Sequence, residues 1–132
     1  IKIVVAEDDV TTQMILCDAL ESQGYQIITA DNGKQALEII LGKNPDLVVT
    51  DYMMPEMDGL QLIQALKARE TTKDIPILML TSMGELDSEI LVMKAGADHF
   101  LPKPINRQRF LIRVENLAKR ILKRKFCPPD SD

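Results

Sequence analysis

The chain predicts an α/β fold, a parallel sheet wound with helices on both faces, and three observations carry that expectation. Five short apolar runs alternate with five stretches of helical periodicity. The connections between them are short, so each crossover helix must pack back right-handedly onto the sheet. The third run, Leu47-Val48-Val49-Thr50, has no polar face at all, which suits a strand covered on both sides. It ends abruptly in Asp51.

The first strand is predicted at Lys2 to Ala6 and is followed at once by Glu7-Asp8-Asp9. Asp9, Thr11 or Thr12 is placed to cap a helix in which Leu16 and Leu20 share a face, closed by Gly24 as a left-handed stop. Tyr25 to Ala30 forms the second strand and Asp31-Asn32-Gly33 the turn after it. Ala36, Leu37, Ile40 and Leu41 supply the apolar stripe of the next helix, which Asn44-Pro45 ends. After the third strand, Pro55 and Gly59 break regular structure, and a helix is expected from about Asp58 to Arg69 with Leu62, Ile63 and Leu66 inward. Pro76 opens the fourth strand, Ile77 to Leu80, which closes on Thr81-Ser82. A fourth helix is expected from about Leu86 to Ala95, stopped by Gly96. The fifth strand is short, Asp98 to Leu101, and ends in Pro102-Lys103-Pro104. The last helix carries Phe110, Val114, Leu117 and Ile121 at spacings of 4, 3 and 4.

Open sheets of this kind take their ligands outside the carboxyl ends of the strands. That edge carries Glu7, Asp8 and Asp9, then Asp51, then Thr81 and Ser82, then Lys103. Each has a dull reading: a helix cap, a strand end, a solvated cation. Their convergence is harder to dismiss. Clustered carboxylates repel one another unless a cation sits among them, and oxygen-only ligands favour a hard divalent ion such as Mg²⁺. A metal beside Asp51, with a lysine and a hydroxyl opposite, would neutralise three phosphoryl oxygens while the Asp51 carboxylate attacks phosphorus in line.

These residues resemble the receiver domain of two-component response regulators, over residues 1 to about 122. The matching features are Glu7-Asp8, Asp51 with Met54-Pro55 and Asp58-Gly59, Thr81-Ser82, Ala95-Gly96-Ala97-Asp98, and Lys103-Pro104. The resemblance implies a flavodoxin-like sheet of order 2-1-3-4-5. It makes Asp51 the acceptor of a phosphoryl group from a histidine kinase or phosphotransfer protein. Asp8, Asp51 and the backbone carbonyl of Met53 would bind Mg²⁺ directly, and Glu7 mainly through water. Lys103 and Thr81 would hold the phosphoryl oxygens, Phe100 would turn inward with Thr81 as the switch, and the Lys103-Pro104 peptide would be cis. The chain would not be an enzyme beyond its own phosphorylation and dephosphorylation. Its output surface would be helix four, strand five and helix five, through which it would dimerise or release a partner.

Some positions depart from the family's pattern. Glu7 stands where Asp is commoner, and Gln13 where many members have arginine. Phe100 lacks a hydroxyl, so a switch there works by packing alone. Met53 and Met83 flank the route by which water would reach an acyl phosphate, and are expected to slow its hydrolysis. His99 reads as an exposed strand residue rather than a ligand.

Two other function classes fit this edge less well. A phosphatase of the dehalogenase-like type wants a general acid two residues after its nucleophile, and that residue is Met53. A flavin- or nucleotide-binding module wants a Gly- or Ser/Thr-rich loop after the first strand, where Glu7-Asp8-Asp9 would repel phosphate unless a metal intervened. A receiver that only docks is a third reading, opposed by the intact Asp8, Asp51, Thr81 and Lys103.

With 132 residues, 45% hydrophobic, the chain suits one domain without disulfide or metal staples. No apolar run approaches the roughly 18 to 20 residues of a membrane span, so a cytoplasmic protein is expected. Cys17 and Cys127 lack metal-ligand spacing. Residues 1–105 hold 17 acids against 8 bases, a charge of −9, whereas 106–132 hold 3 against 8, a charge of +5. The basic end reads as the solvated face of a helix rather than a nucleic-acid site. Residues 123–132 are accordingly expected to be a helix end and linker, leading to an output domain outside this chain.

Overall fold

The structure, a computed structural model, describes residues 1–82 and 86–126. Met83, expected with Met53 to slow hydrolysis, and the tail from Cys127 onward lie outside them. The elements run β1 (Lys2–Ala6), α1 (Val10–Glu21), β2 (Gln26–Ala30), α2 (Gly33–Lys43), β3 (Leu47–Asp51), α3 (Gly59–Lys67), β4 (Ile77–Ser82), α4 (Leu86–Ala95), β5 (His99–Lys103) and α5 (Arg107–Phe126). Every strand pairing is parallel, and the order is β2-β1-β3-β4-β5. The doubly wound, flavodoxin-like sheet is thus as expected.

The pleat divides the core in two. Ile3 and Val5 of β1, Leu47 and Val49 of β3 and Leu78 and Leu80 of β4 point to the face covered by α1 and α5, where they meet Leu16, Leu20, Phe110, Val114 and Leu117. Val4, Val48, Ile77 and Met79 point the other way, to Ala36 and Ile40 of α2 and Leu62, Ile63 and Leu66 of α3. Burial of all five residues of β3 follows from its central place between β1 and β4.

Element ends differ from the sequence reading for identifiable reasons. Tyr25 is not in β2, because its N–H closes α1 by donating to the Leu20 carbonyl at 3.4 Å. Leu41 is 40% exposed, since it lies about 100° round the helix from Ile40, off the buried stripe of Gly33, Ala36 and Ile40. Helix α3 stops at Lys67, where Thr72 folds back and donates its hydroxyl to the Leu66 carbonyl at 2.6 Å. Strand β5 starts at His99 and runs on through Pro102 to Lys103. A proline without an N–H is tolerated there because β5 is an edge strand.

Candidate functional site

Helix caps decide which acids remain for the carboxyl edge. Asp9 is the N-cap of α1, accepting from the Thr12 backbone N–H at 3.0 Å and from its hydroxyl at 2.5 Å, and these bonds hold its carboxyl below the usual range. Asp58 caps α3 in a reciprocal capping box with Gln61. Asn32 caps α2. Asp8 and Asp51 serve no helix end, and Glu7 meets α1 only through the Asp9 N–H, 3.5 Å from its Oε2.

Glu7 is fully buried, Asp51 is 6% exposed and Asp8 is exposed. Each offers a carboxylate oxygen, and the three oxygens lie within 4.8 Å of one another. The ammonium of Lys103 arrives from β5 and pairs with Glu7 Oε1 at 2.8 Å and Asp51 Oδ2 at 3.0 Å. Burial pushes the Glu7 carboxyl up to about 7; Asp51 beside it adds to the rise, and the hydrogen bond from Lys103 opposes it. Burial pulls the Lys103 ammonium down, but its hydrogen bonds to Glu7 and Asp51 outweigh that and leave it above the ordinary lysine value. One cation therefore faces three acids, and the surplus negative charge suits a second cation.

Thr81 is fully buried and its hydroxyl oxygen has no hydrogen-bond partner. It sits one step beyond Leu80, the residue of β4 registered with Asp51. A buried hydroxyl without a partner costs about 1–3 kcal/mol, a penalty that a ligand arriving beside Asp51 would relieve. The donor set suits a metal as well. Glu7, Asp8 and Asp51 present only oxygens, as a hard divalent ion prefers.

The loop between Asp51 and α3 is held at both ends. Gly59 N–H donates to the Tyr52 carbonyl at 2.8 Å, and a Cβ at Gly59 would stand 2.5 Å from the Asp51 carbonyl oxygen. At the other side a Cβ on Gly33 would lie 2.0 Å from the Met57 carbonyl oxygen, so α2 abuts this loop directly. Met53, on the loop, is 60% exposed.

Phe100 lies apart from the carboxylates. It is half-buried against the second core face and lines a groove of about 460 Å³ with Met93, Leu101, Ile112 and Arg113. His99 is also half-buried there, its pKa lowered by burial and by Arg113 and Arg120. The Lys103-Pro104 peptide is cis. Among the described residues no helix is long and apolar enough to cross a membrane.

Gln13, in the sequence only a departure from the family's pattern, reaches both the β1–α1 and β2–α2 loops with its side chain. Nothing local to residues 10–21 signals this, because two of its partners lie 17 and 18 positions away.

The family model described as the response regulator receiver domain matches residues 3–115. The phosphate regulon transcriptional regulatory protein PhoB of Pseudomonas aeruginosa is 36% identical over 118 residues, covering 89% of this chain and 52% of that protein. The response regulator MprA of Mycolicibacterium vanbaalenii is 38% identical over 120 residues, covering 91% and 51%. The chain thus spans about half the length of these curated relatives. The receiver domain of Francisella response regulator 1452 superposes with a TM-score of 0.84 at 33% identity, covering 90% of this chain and 97% of that one.

Proposed function

The chain belongs to the response regulator receiver domain family, and from that premise we propose that it is the phosphoacceptor switch of a two-component system, with Asp51 as the acceptor. The observation that carries this reading is the contact of Asp51 with Lys103 at 3.0 Å on an edge shared with two further carboxylates and the unpartnered Thr81 hydroxyl. Asp51 Oδ attacks the phosphorus of a kinase or phosphotransfer protein's phosphohistidine. The P–O bond to Asp51 forms as the P–N bond breaks, and the imidazole leaves with the electron pair. Lys103 turns from the carboxylate to the transferred phosphoryl oxygens, and Thr81 donates its hydroxyl to one of them. Glu7, Asp8, Asp51 and the Met53 carbonyl are the groups that would hold Mg²⁺, Glu7 mainly through water, and the ion would offset the charge gathered on the phosphoryl group.

Drawing Thr81 toward the phosphoryl group vacates space beside Phe100, one strand over, where Met79 is registered with it. The ring moves inward and alters the α4–β5–α5 surface. That surface exposes Ile90, Leu91, Met93 and Ile112, apolar groups suited to a homodimer or a partner. A difference of a few kcal/mol separates the two states. Residues 1–122 form the receiver, and residues 123–132 lead toward an output domain, as the greater length of the relatives supports. The working place is the cytoplasm, and nucleic acid is not bound by this domain directly.

The test is incubation with acetyl phosphate and Mg²⁺, followed by peptide mapping. A phosphoryl adduct on Asp51, absent with chelator, is expected; an adduct on another residue, or none, overturns the reading. Small phosphomonoesters should not be turned over.

Met53, exposed two residues beyond Asp51, flanks the route by which water would attack the acyl phosphate and so lengthens its life. Met53→Asn should raise the rate of phosphate release several-fold, measured on phosphorylated protein freed of donor. An unchanged rate sinks this part alone.

A further inference from the structure

We propose that Gln13 is a positioning residue of the cation site, and that its lack of charge sets how tightly that site holds a divalent ion. The inference rests on the metal reading of Glu7, Asp8 and Asp51 given above. Gln13 is half-buried in the first turn of α1. Its side-chain nitrogen donates to the Glu7 carbonyl at 3.0 Å, the Ala30 carbonyl at 3.3 Å and the Asp31 carboxylate at 3.3 Å. A side-chain amide has only two N–H hydrogens, so three acceptors converge on two donors. The amide thereby ties the loop that carries Glu7 and Asp8 to the loop that begins α2. The Glu7 N–H donates to the same Ala30 carbonyl at 3.1 Å, closing the tie from the main chain.

The convergence of two carbonyls and a carboxylate is one that a cation would satisfy better than a neutral amide. Among the described residues no basic side chain lies within ion-pair distance of Asp31. Gln13 therefore supplies the clasp without a positive charge, and the negative potential of Asp31 adds to that of Glu7 and Asp8 beside it. A lysine at this position would keep a donor for the acceptors and oppose a divalent ion. An alanine would remove the donor and leave the field unchanged. Geometry and charge are separable.

The experiment is titration of the unphosphorylated protein with Mn²⁺, followed by the loss of its free-ion electron paramagnetic resonance signal, at low and at high salt. Gln13→Ala should weaken binding about three- to ten-fold at both salts, through a loosened β1–α1 loop. Gln13→Lys should weaken it by a similar factor at low salt, and the gap from the wild type should narrow at about 0.5 M salt, where the Debye length is only a few ångströms. The metal-free lysine variant should resist denaturant at least as well as the wild type, which separates its effect from misfolding. Equal affinities for the wild type and both variants overturn the role of Gln13. A wild type that takes up no Mn²⁺ overturns instead the metal reading on which it rests.

Discussion

Asp51→Asn is expected to abolish phosphoryl uptake from acetyl phosphate while leaving the domain folded and slightly more stable. The loss should be complete rather than partial, because a carboxamide is not a nucleophile toward phosphorus and no other acid of the edge can replace Asp51. Glu7 is fully buried and committed to Lys103 at 2.8 Å, and Asp8 is an exposed residue on the β1–α1 loop. The gain in stability has a separate source. Asp51 raises the Glu7 carboxyl by its charge and by a hydrogen bond, which means that the two acids crowd each other across one ammonium. Removing one charge relieves that crowding and leaves the Glu7–Lys103 pair intact, worth about 1 kcal/mol at neutral pH. Affinity for a divalent ion should fall at least about ten-fold with one of three carboxylates gone. Mass spectrometry after acetyl phosphate treatment, urea denaturation and metal titration read these separately. Full labelling of the variant would overturn the assignment of the acceptor.

The parts of this site that are legible in the sequence are those set by local chain chemistry. An apolar run with no polar face forces β3 to the centre of the sheet, and Asp51 is simply its last residue. Pro76 and the Thr81-Ser82 close fix β4 in the same way. Even the competition among Glu7, Asp8 and Asp9 is half decided locally, since an Asx cap at Asp9 needs only Thr12, three residues on. Contacts across the topology are a different matter. The Lys103–Glu7 pair joins residues 96 apart, and the abutment of Gly33 on Met57 joins the start of α2 to the loop before α3, which neither periodicity nor turn chemistry relates. The same holds for the three acceptors of Gln13. The Thr81 hydroxyl is the reverse case: the sequence offers a polar strand end, and only the packed structure reveals it buried without a partner.

Glu7 gives the largest expected dependence on pH, and its sign is opposite to that of an ordinary acid. In the unfolded chain its carboxyl titrates near 4.5, whereas in the folded, metal-free protein burial lifts it to about 7. Between those values the folded state holds a proton that the unfolded state has released. The protonated carboxyl thus contributes stability that is present in full below pH 4.5 and is lost as the pH rises through about 7. At about 1.4 kcal/mol per unit, that is on the order of 3 kcal/mol. Asp9 pulls the other way, because its pKa is depressed, but its stabilisation is lost only as the pH falls below the ordinary 3.8, outside this window. Lys103 has a raised pKa and loses its contribution only above its ordinary 10.5. Urea denaturation in chelator at pH 5, 6, 7 and 8 should therefore trace a falling stability that flattens above about 7. Glu7→Gln should remove the slope and make the metal-free protein more stable at pH 8. Lys103→Met should carry the slope to higher pH, because the hydrogen bond that opposes the rise is gone. A slope that survives in Glu7→Gln would place the titrating group elsewhere. Adding Mg²⁺ should flatten the wild-type profile in turn, since an ion bound by Asp8 and Asp51 and reaching Glu7 through water would disfavour the proton on Glu7.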